Sequence, residues 1–151
     1  MLQVGTFSPK DIVLTINDYR IEGLADDKFI SFEKNSPTFR HVAGIIGKAT
    51  RVNTRDYSGT ITFRVMYTHR DNSVLTKIAS EDSFKQTGKL LVQIHDTGSR
   101  GTGVQAGNAY LEGVPNFEYS LKSATPNTWK IHYEFLTRHD LTDNSRSLLE
   151  F

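Results

Sequence analysis

Apolar and polar residues alternate with a period of two along most of this chain, the pattern of strands with one face buried and one face wet. Between Asp11 and Asn17, the residues Ile12, Leu14 and Ile16 share a face, and Asn17-Asp18 supplies turn chemistry. Tyr19 to Leu24 follows as a hairpin partner and ends in a soft break at Ala25-Asp26-Asp27. Phe29 to Lys34 alternates again, with Phe29, Ser31 and Glu33 on one side, Ile30 and Phe32 on the other, and Asn35-Ser36-Pro37 as its stop. The cleanest alternation is Gly59 to Thr68: Ile61, Phe63, Val65 and Tyr67 face one way, Thr60, Thr62, Arg64, Met66 and Thr68 the other. Lys89 to Asp96, Asn108 to Leu111, Phe117 to Leu121 and Thr128 to Thr137 read as further strands. The last of these aligns Trp129, Ile131, Tyr133 and Phe135 opposite Lys130, His132 and Glu134.

Two stretches depart from this period. Asp71-Asn72-Ser73 offers an N-cap, and Val74, Leu75, Ile78 and Ala79 recur at helical spacing, which predicts one short helix over about 71–82. Arg40 to Ser58 combines Gly44, Gly47, Val42, Ile45 and Ile46 with arginines and a lysine but little clear period, and reads as a long inter-strand loop over about 40–58. The expected fold class is mainly β: an antiparallel β-sandwich or barrel with one short α-helix.

Composition changes this picture little. A chain of 151 residues is expected to be a single domain, 1–151, large enough to bury a real core. Its 18 basic and 17 acidic side chains are spread along the sequence, so no basic arm points to tight nucleic-acid binding. No apolar run reaches the ~20 residues that cross a bilayer, and Met1 to Gly5 lacks the features of a secretion signal, so no membrane binding and a cytosolic default are expected. The absence of cysteine removes disulfides and thiolate chemistry.

Catalytic motifs fail on context. Gly98-Ser99-Arg100-Gly101-Thr102-Gly103 has no Lys-Ser/Thr pair and its next glycine, Gly107, is one residue late for a dinucleotide fingerprint, so it reads as a hairpin loop. His41, His69, His95, His132 and His139 never stand four apart as a helical zinc pair requires. Ser31 and Lys34 match a Ser-x-x-Lys motif, but on a strand they face opposite sides. Trp129, Tyr133 and Phe135 at strand spacing read as core rather than as a stacking platform for single-stranded nucleic acid. No catalytic residue, cofactor or metal is nominated, and the chain is not expected to be an enzyme.

The order of the pieces carries a resemblance. Phe7-Ser8-Pro9-Lys10-Asp11, Ile16-Asn17, the stretch from Leu24 to Asn35, Arg55-Asp56-Tyr57-Ser58-Gly59-Thr60-Ile61-Thr62, Asn72 to Leu75, Ala109-Tyr110-Leu111-Glu112-Gly113-Val114-Pro115 and Trp129 follow one another in a familiar sequence. Together they resemble the tail tube proteins of contractile-tailed bacteriophages, a family similar in fold to pyocin and type VI secretion tube subunits. Two departures are His69-Arg70-Asp71, where a Ser-Pro helix start is usual, and Ile45-Ile46, where a more polar pair is usual.

The resemblance implies a structural subunit of hexameric rings stacked into a tube within a virion assembled in the bacterial cytoplasm. It also implies tail sheath outside, tape-measure protein and DNA in the lumen, and baseplate and tail-terminator proteins at the ends. A pyocin- or secretion-type tube subunit and a baseplate or adaptor protein of related fold are the alternatives. Residues 1–10 would be an N-terminal arm, 40–58 an inter-subunit loop and 140–151 a C-terminal tail. Sheet edges must be paired or covered, and Ser31, Glu33, Thr60, Thr62 and Arg64 present polar faces suited to a wet lumen. Val42, Ile45, Ile46, Leu148, Leu149 and Phe151 are the expected inter-subunit contacts, the C-terminal residues through a tail docked on a neighbour.

Overall fold

A computed structural model describes residues 8–25, 29–86, 88–97, 102–116, 125–140 and 147–150. The strands are β1 (Ile12–Ile16), β2 (Tyr19–Ile21), β3 (Ile30–Lys34), β4 (Phe39–Ala43), β5 (Ala49–Asn53), β6 (Gly59–Val65), β7 (Leu90–Asp96), β8 (Thr102–Leu111), β9 (Asn127–Tyr133), β10 (Phe135–Asp140) and β11 (Ser147–Glu150). Among the described residues there is one α-helix, α1 (Asp71–Lys85), between β6 and β7, and a 3-10 turn at Pro9–Asp11 before β1. All strand pairs are antiparallel. The mainly-β fold with a single helix is therefore as the alternation predicts.

Nine strands form one sheet in the order β2-β1-β7-β8-β9-β6-β3, with β10 also pairing β8 and β11 pairing β10. The ten-residue β8 is common to both halves of this sheet. Its first part pairs with β7 and β10, and its last residues, Tyr110 and Leu111, pair with β9. The change of partner coincides with a bulge, where the β7–β8 register shifts between Leu90 and Val92 and Asn108 adopts a left-handed φ of 51°. It also coincides with Glu134, where β9 ends and β10 begins.

Alternation fills the core row by row. Ile16, Val92, Ala106 and Leu136 are successive cross-strand partners in one half; Ile61, Ile131 and Leu111 are in the other. These residues join Leu14, Phe63, Val65 and Trp129 in a single buried cluster. Helix α1 adds the fully buried Leu75, with Ile78 and Ala79 packed against it.

Several boundaries differ from the sequence expectation, each for a tertiary reason. The strand from Gly59 stops at Val65 because Met66 to Arg70 turn back toward the helix. The helix runs three residues past Asp82, to Lys85, and closes on a left-handed Gln86 whose N–H donates to the Asp82 carbonyl. The expected single strand Thr128–Thr137 is two strands. Trp129, Ile131 and Tyr133 are buried as expected, but Phe135 lies beyond the break and is half-exposed, its ring so close over Gly107 that a Cβ there would collide with it. Thr102 and Gly103 of the glycine-rich run belong to β8, so the strand starts well before Asn108. The expected strand Phe117–Leu121 lies outside the described residues.

The largest correction concerns Arg40 to Ser58. It is not an irregular loop but a β-hairpin, β4 and β5, paired from Phe39↔Asn53 to Ala43↔Ala49 and forming its own two-stranded sheet. Both faces of the hairpin are exposed along its whole length. With no face buried, no alternation was required of it, which is why the period is missing from the sequence.

Asp71 ties the helix to the first hairpin. Its side chain is completely buried; Tyr19 Oη donates to Oδ1 at 2.6 Å, and the backbone N–H groups of Glu22 and Gly23 donate to Oδ2 at 2.8 Å each. The carboxylate beside it holds the Tyr19 phenol above its ordinary value. Arg70, not Asp71, is the N-cap residue and makes no side-chain cap. Asn72 instead donates from Nδ2 to the Met66, Tyr67 and His69 carbonyls and accepts from Trp129 Nε1 at 3.0 Å.

Replacing Asp71 by Ala leaves the buried Gly23 N–H and the part-buried Tyr19 hydroxyl and Glu22 N–H without their acceptor, and a loss of at least the about 1–3 kcal/mol of one buried unsatisfied group is expected. Urea denaturation with an unchanged midpoint for Asp71→Ala would contradict this role.

Candidate functional site

Cross-strand register assembles a polar face on the side of β3, β6, β9 and β8 that turns away from the core. One row runs Ser31, Thr62 and Lys130, and the next runs Glu33, Thr60, His132 and Tyr110. Arg64 pairs with Thr128 in a third row. The five residues singled out as wet-face candidates, Ser31, Glu33, Thr60, Thr62 and Arg64, thus share one surface. Lys130 and His132 of β9 and Tyr110 of β8 complete it; β9 draws attention by its aromatic side, and the place of Tyr110 follows only from its pairing with His132.

The charges on this face balance. Arg64 and Lys130 stand against Glu33 and against Glu112, which sits opposite Lys130 through the Glu112 N–H to Lys130 carbonyl hydrogen bond. His132 stacks on Tyr110 with centroids 5.3 Å apart, places Nε2 3.4 Å from Glu112 Oε1 and lies 3.3 Å from Thr60 Oγ1 through Nδ1. Each charged or titratable group is interleaved with hydroxyls, so no strongly basic track is present.

The β4–β5 hairpin is the second surface. Its turn, Gly44 to Lys48, is closed by Gly44 N–H to the Lys48 carbonyl at 2.8 Å and needs a left-handed Gly47, φ 85°. Ile45 and Ile46 at this tip are exposed, Ile46 by 83%. Val42 and Val52 are also exposed, on the face shared by Arg40 and Thr50. On the other face the Arg51 guanidinium lies 4.1 Å over the Phe39 ring. An isolated two-stranded hairpin is marginal in water, so this one depends on its base.

Asp56 organises that base. Ser36 Oγ donates to Oδ2 at 2.8 Å, while the Ser58 N–H and Oγ donate to Oδ1. Asn35 reaches Ser58 Oγ from Nδ2, and Lys34 Nζ donates to Thr38 Oγ1, each across the two legs or along one leg of the hairpin. The Ser58 and Ser36 hydroxyls hold the Asp56 carboxyl below the ordinary carboxylate value.

The C-terminal segment behaves differently from the expected detached tail. Ser147–Glu150 forms β11 on β10 of the same chain, with Arg138↔Leu149 and Thr137↔Glu150 in register. Since β10 is already paired with β8 on its other side, this covers what would be an open edge. Leu148 and Leu149 are therefore held at home by their backbone. Phe151, like the 1–7 part of the N-terminal arm, lies outside the described residues.

Among the described residues no group of three His, Asp or Glu side chains is placed to hold a metal, and no helix is long and apolar enough to cross a membrane.

Because Asp56 has a depressed folded-state value, its contribution is present above the unfolded value and is lost as pH falls through the folded one. The protection factor of the Ser58 amide, taken against the intrinsic exchange rate at the same pH, is expected to fall selectively in acid, and at neutral pH in Asp56→Ala. Protection at Ser58 that survives both changes would contradict the clamp.

No family model matches the chain, and no curated protein matches it by sequence. Solved structures do match by shape. A chain of the anti-feeding prophage cap, which terminates that particle's tube, superposes with a TM-score of 0.64 and 11% identity, covering 93% of this chain and 95% of the other. A chain of the sheath–tube complex of the extracellular contractile injection system PVC gives 0.62 and 12% identity over 89% and 92%. A chain from the PVC sheath/tube terminator gives 0.59 and 12% over 88% and 96%. At these identities the likeness is one of fold, and it spans nearly the whole of each chain: the protein has the fold found in tube and tube-terminator assemblies of contractile injection systems.

Proposed function

We propose that this chain is a structural subunit of the inner tube of a contractile phage tail, assembling as hexameric rings that stack around a lumen. The observation that supports this best is the polar, charge-balanced face of β3, β6, β9 and β8, backed by the core and ending at an edge strand, β3, that has no partner on its outer side among the described residues. Ring closure pairs such an edge with a neighbour and turns the polar face inward. A lumen lined by hydroxyls and matched charges lets DNA slide, where a basic lining would retain it. Sheath would cover the outside, tape-measure protein would occupy the lumen before DNA, and the subunit itself would perform no catalysis.

The exposed hairpin belongs to the same reading. Val42, Ile45 and Ile46 gain a partner when copies associate, and burial of each isoleucine stabilises by about 1.5–3 kcal/mol. The second reading is a tube terminator, favoured by the fact that two of the three structures compared above come from a cap or terminator.

Electron microscopy of the purified protein separates the two: long hollow tubes are expected for the subunit, isolated rings for the terminator, and monomers at high concentration for neither. Replacing Ile45 and Ile46 together by Asp is expected to abolish tube growth while leaving the circular-dichroism spectrum unchanged. Retention of the assembled protein on a DNA column in a strongly salt-dependent way would count against the sliding lumen.

A further inference from the structure

The hairpin carries charge of one sign only. Between Phe39 and Asn53 stand Arg40, Lys48 and Arg51 without a single carboxylate, around the exposed Val42, Ile45, Ile46 and Val52. A surface that receives it must be apolar in the middle and acidic at the rim.

Among the described residues, a groove at the end of α1 has this character. At the C-terminal end of α1, Phe84 is 91% exposed, although a helix residue of this size normally faces a core. It lines an open groove of about 460 Å³ with Leu111 and the half-exposed Val114, and Asp82 and Glu112 lie on the same walls. Glu81 and Lys85 belong to a separate groove beside Lys89, so the acidic character of this one comes from the half-buried Asp82 and the exposed Glu112. Asp82 also accepts from the Gly88 N–H, which fixes its position beside the groove.

Topology sets the two surfaces on opposite flanks. The hairpin departs from β3, the edge of the β3-β6-β9-β8 half, whereas Leu111 to Val114 leave the end of β8, at the far side of the same four strands. A projection on one flank and its receptor on the other make a head-to-tail contact between copies, the kind that closes rings or propagates stacks.

We infer that the β4–β5 hairpin of one copy docks its Ile45-Ile46 tip in the Phe84–Val114 groove of a second copy, with Arg40, Lys48 and Arg51 facing Asp82 and Glu112. This deepens the tube reading by naming the surface that accepts the hairpin.

The cysteine-free sequence permits a clean test. Chains carrying Ile46→Cys are mixed with chains carrying Ser83→Cys, a groove position beside Phe84, and oxidised with diamide after assembly. The expected result is a disulfide-linked dimer in severalfold excess over a control that pairs Ile46→Cys with Thr62→Cys on the polar face. Tubes without this excess would overturn the docking surface and leave the tube reading standing. The excess in an assembly that is not a tube would uphold the docking and remove the tube reading, and absence of both would remove both. Phe84→Ser, at an exposed position, is expected to lower the crosslink yield without loss of helix signal; an undiminished yield would also overturn the assignment.

Discussion

A single buried carboxylate decides how the helix meets the sheet in this protein. Asp71 can be buried only because the Tyr19 hydroxyl and two backbone N–H groups of the β2–β3 connection converge on it. His69 contributes its ring at 3.1 Å, packed against Gly23, where a Cβ would collide with it. The start of α1 is thereby fixed over the core, next to Trp129 through Asn72. Since the helix occupies that side, the opposite face of β3, β6, β9 and β8 is left uncovered and must be polar. The surface proposed to face a lumen is thus a consequence of where the helix is fastened.

The hairpin obeys the reverse logic. It gains nothing from the domain core, and is held only at its base by Asp56 and its serines. A rigid base with an apolar tip transmits the position of one domain to another, whereas a free loop of the same composition would lose that advantage to conformational entropy. Its uniform positive charge further restricts what it can meet. In the domain, β11 performs the opposite service, covering an edge that would otherwise invite pairing.

Much of the fold was legible wherever a strand has one dry and one wet side. Leu14, Ile16, Ile61, Phe63, Val65, Trp129 and Ile131 were assigned to core faces by alternation, and all are buried. For the same reason Ser31, Glu33, Thr60, Thr62 and Arg64 could be placed on wet faces before any pairing was known. Alternation failed where burial did not impose it: β4 and β5 are exposed on both faces, and β10 changes direction at Glu134 because β8 changes partner there. Asp71 was legible only as a helix-start residue, because nothing local marks a carboxylate whose donors lie some fifty positions away.

The sequence by itself therefore determined the helix, the inward and outward sides of the half-buried strands, and the absence of thiol chemistry. These are local quantities, written in residue type and period. Only the tertiary structure decided which wet faces join, that their charges cancel, that Ile45 and Ile46 stand at the end of a projecting arm, and that the chain end pairs with β10. Each of these depends on strand register and order, and register is fixed by contacts between residues far apart in the chain, which no local pattern records.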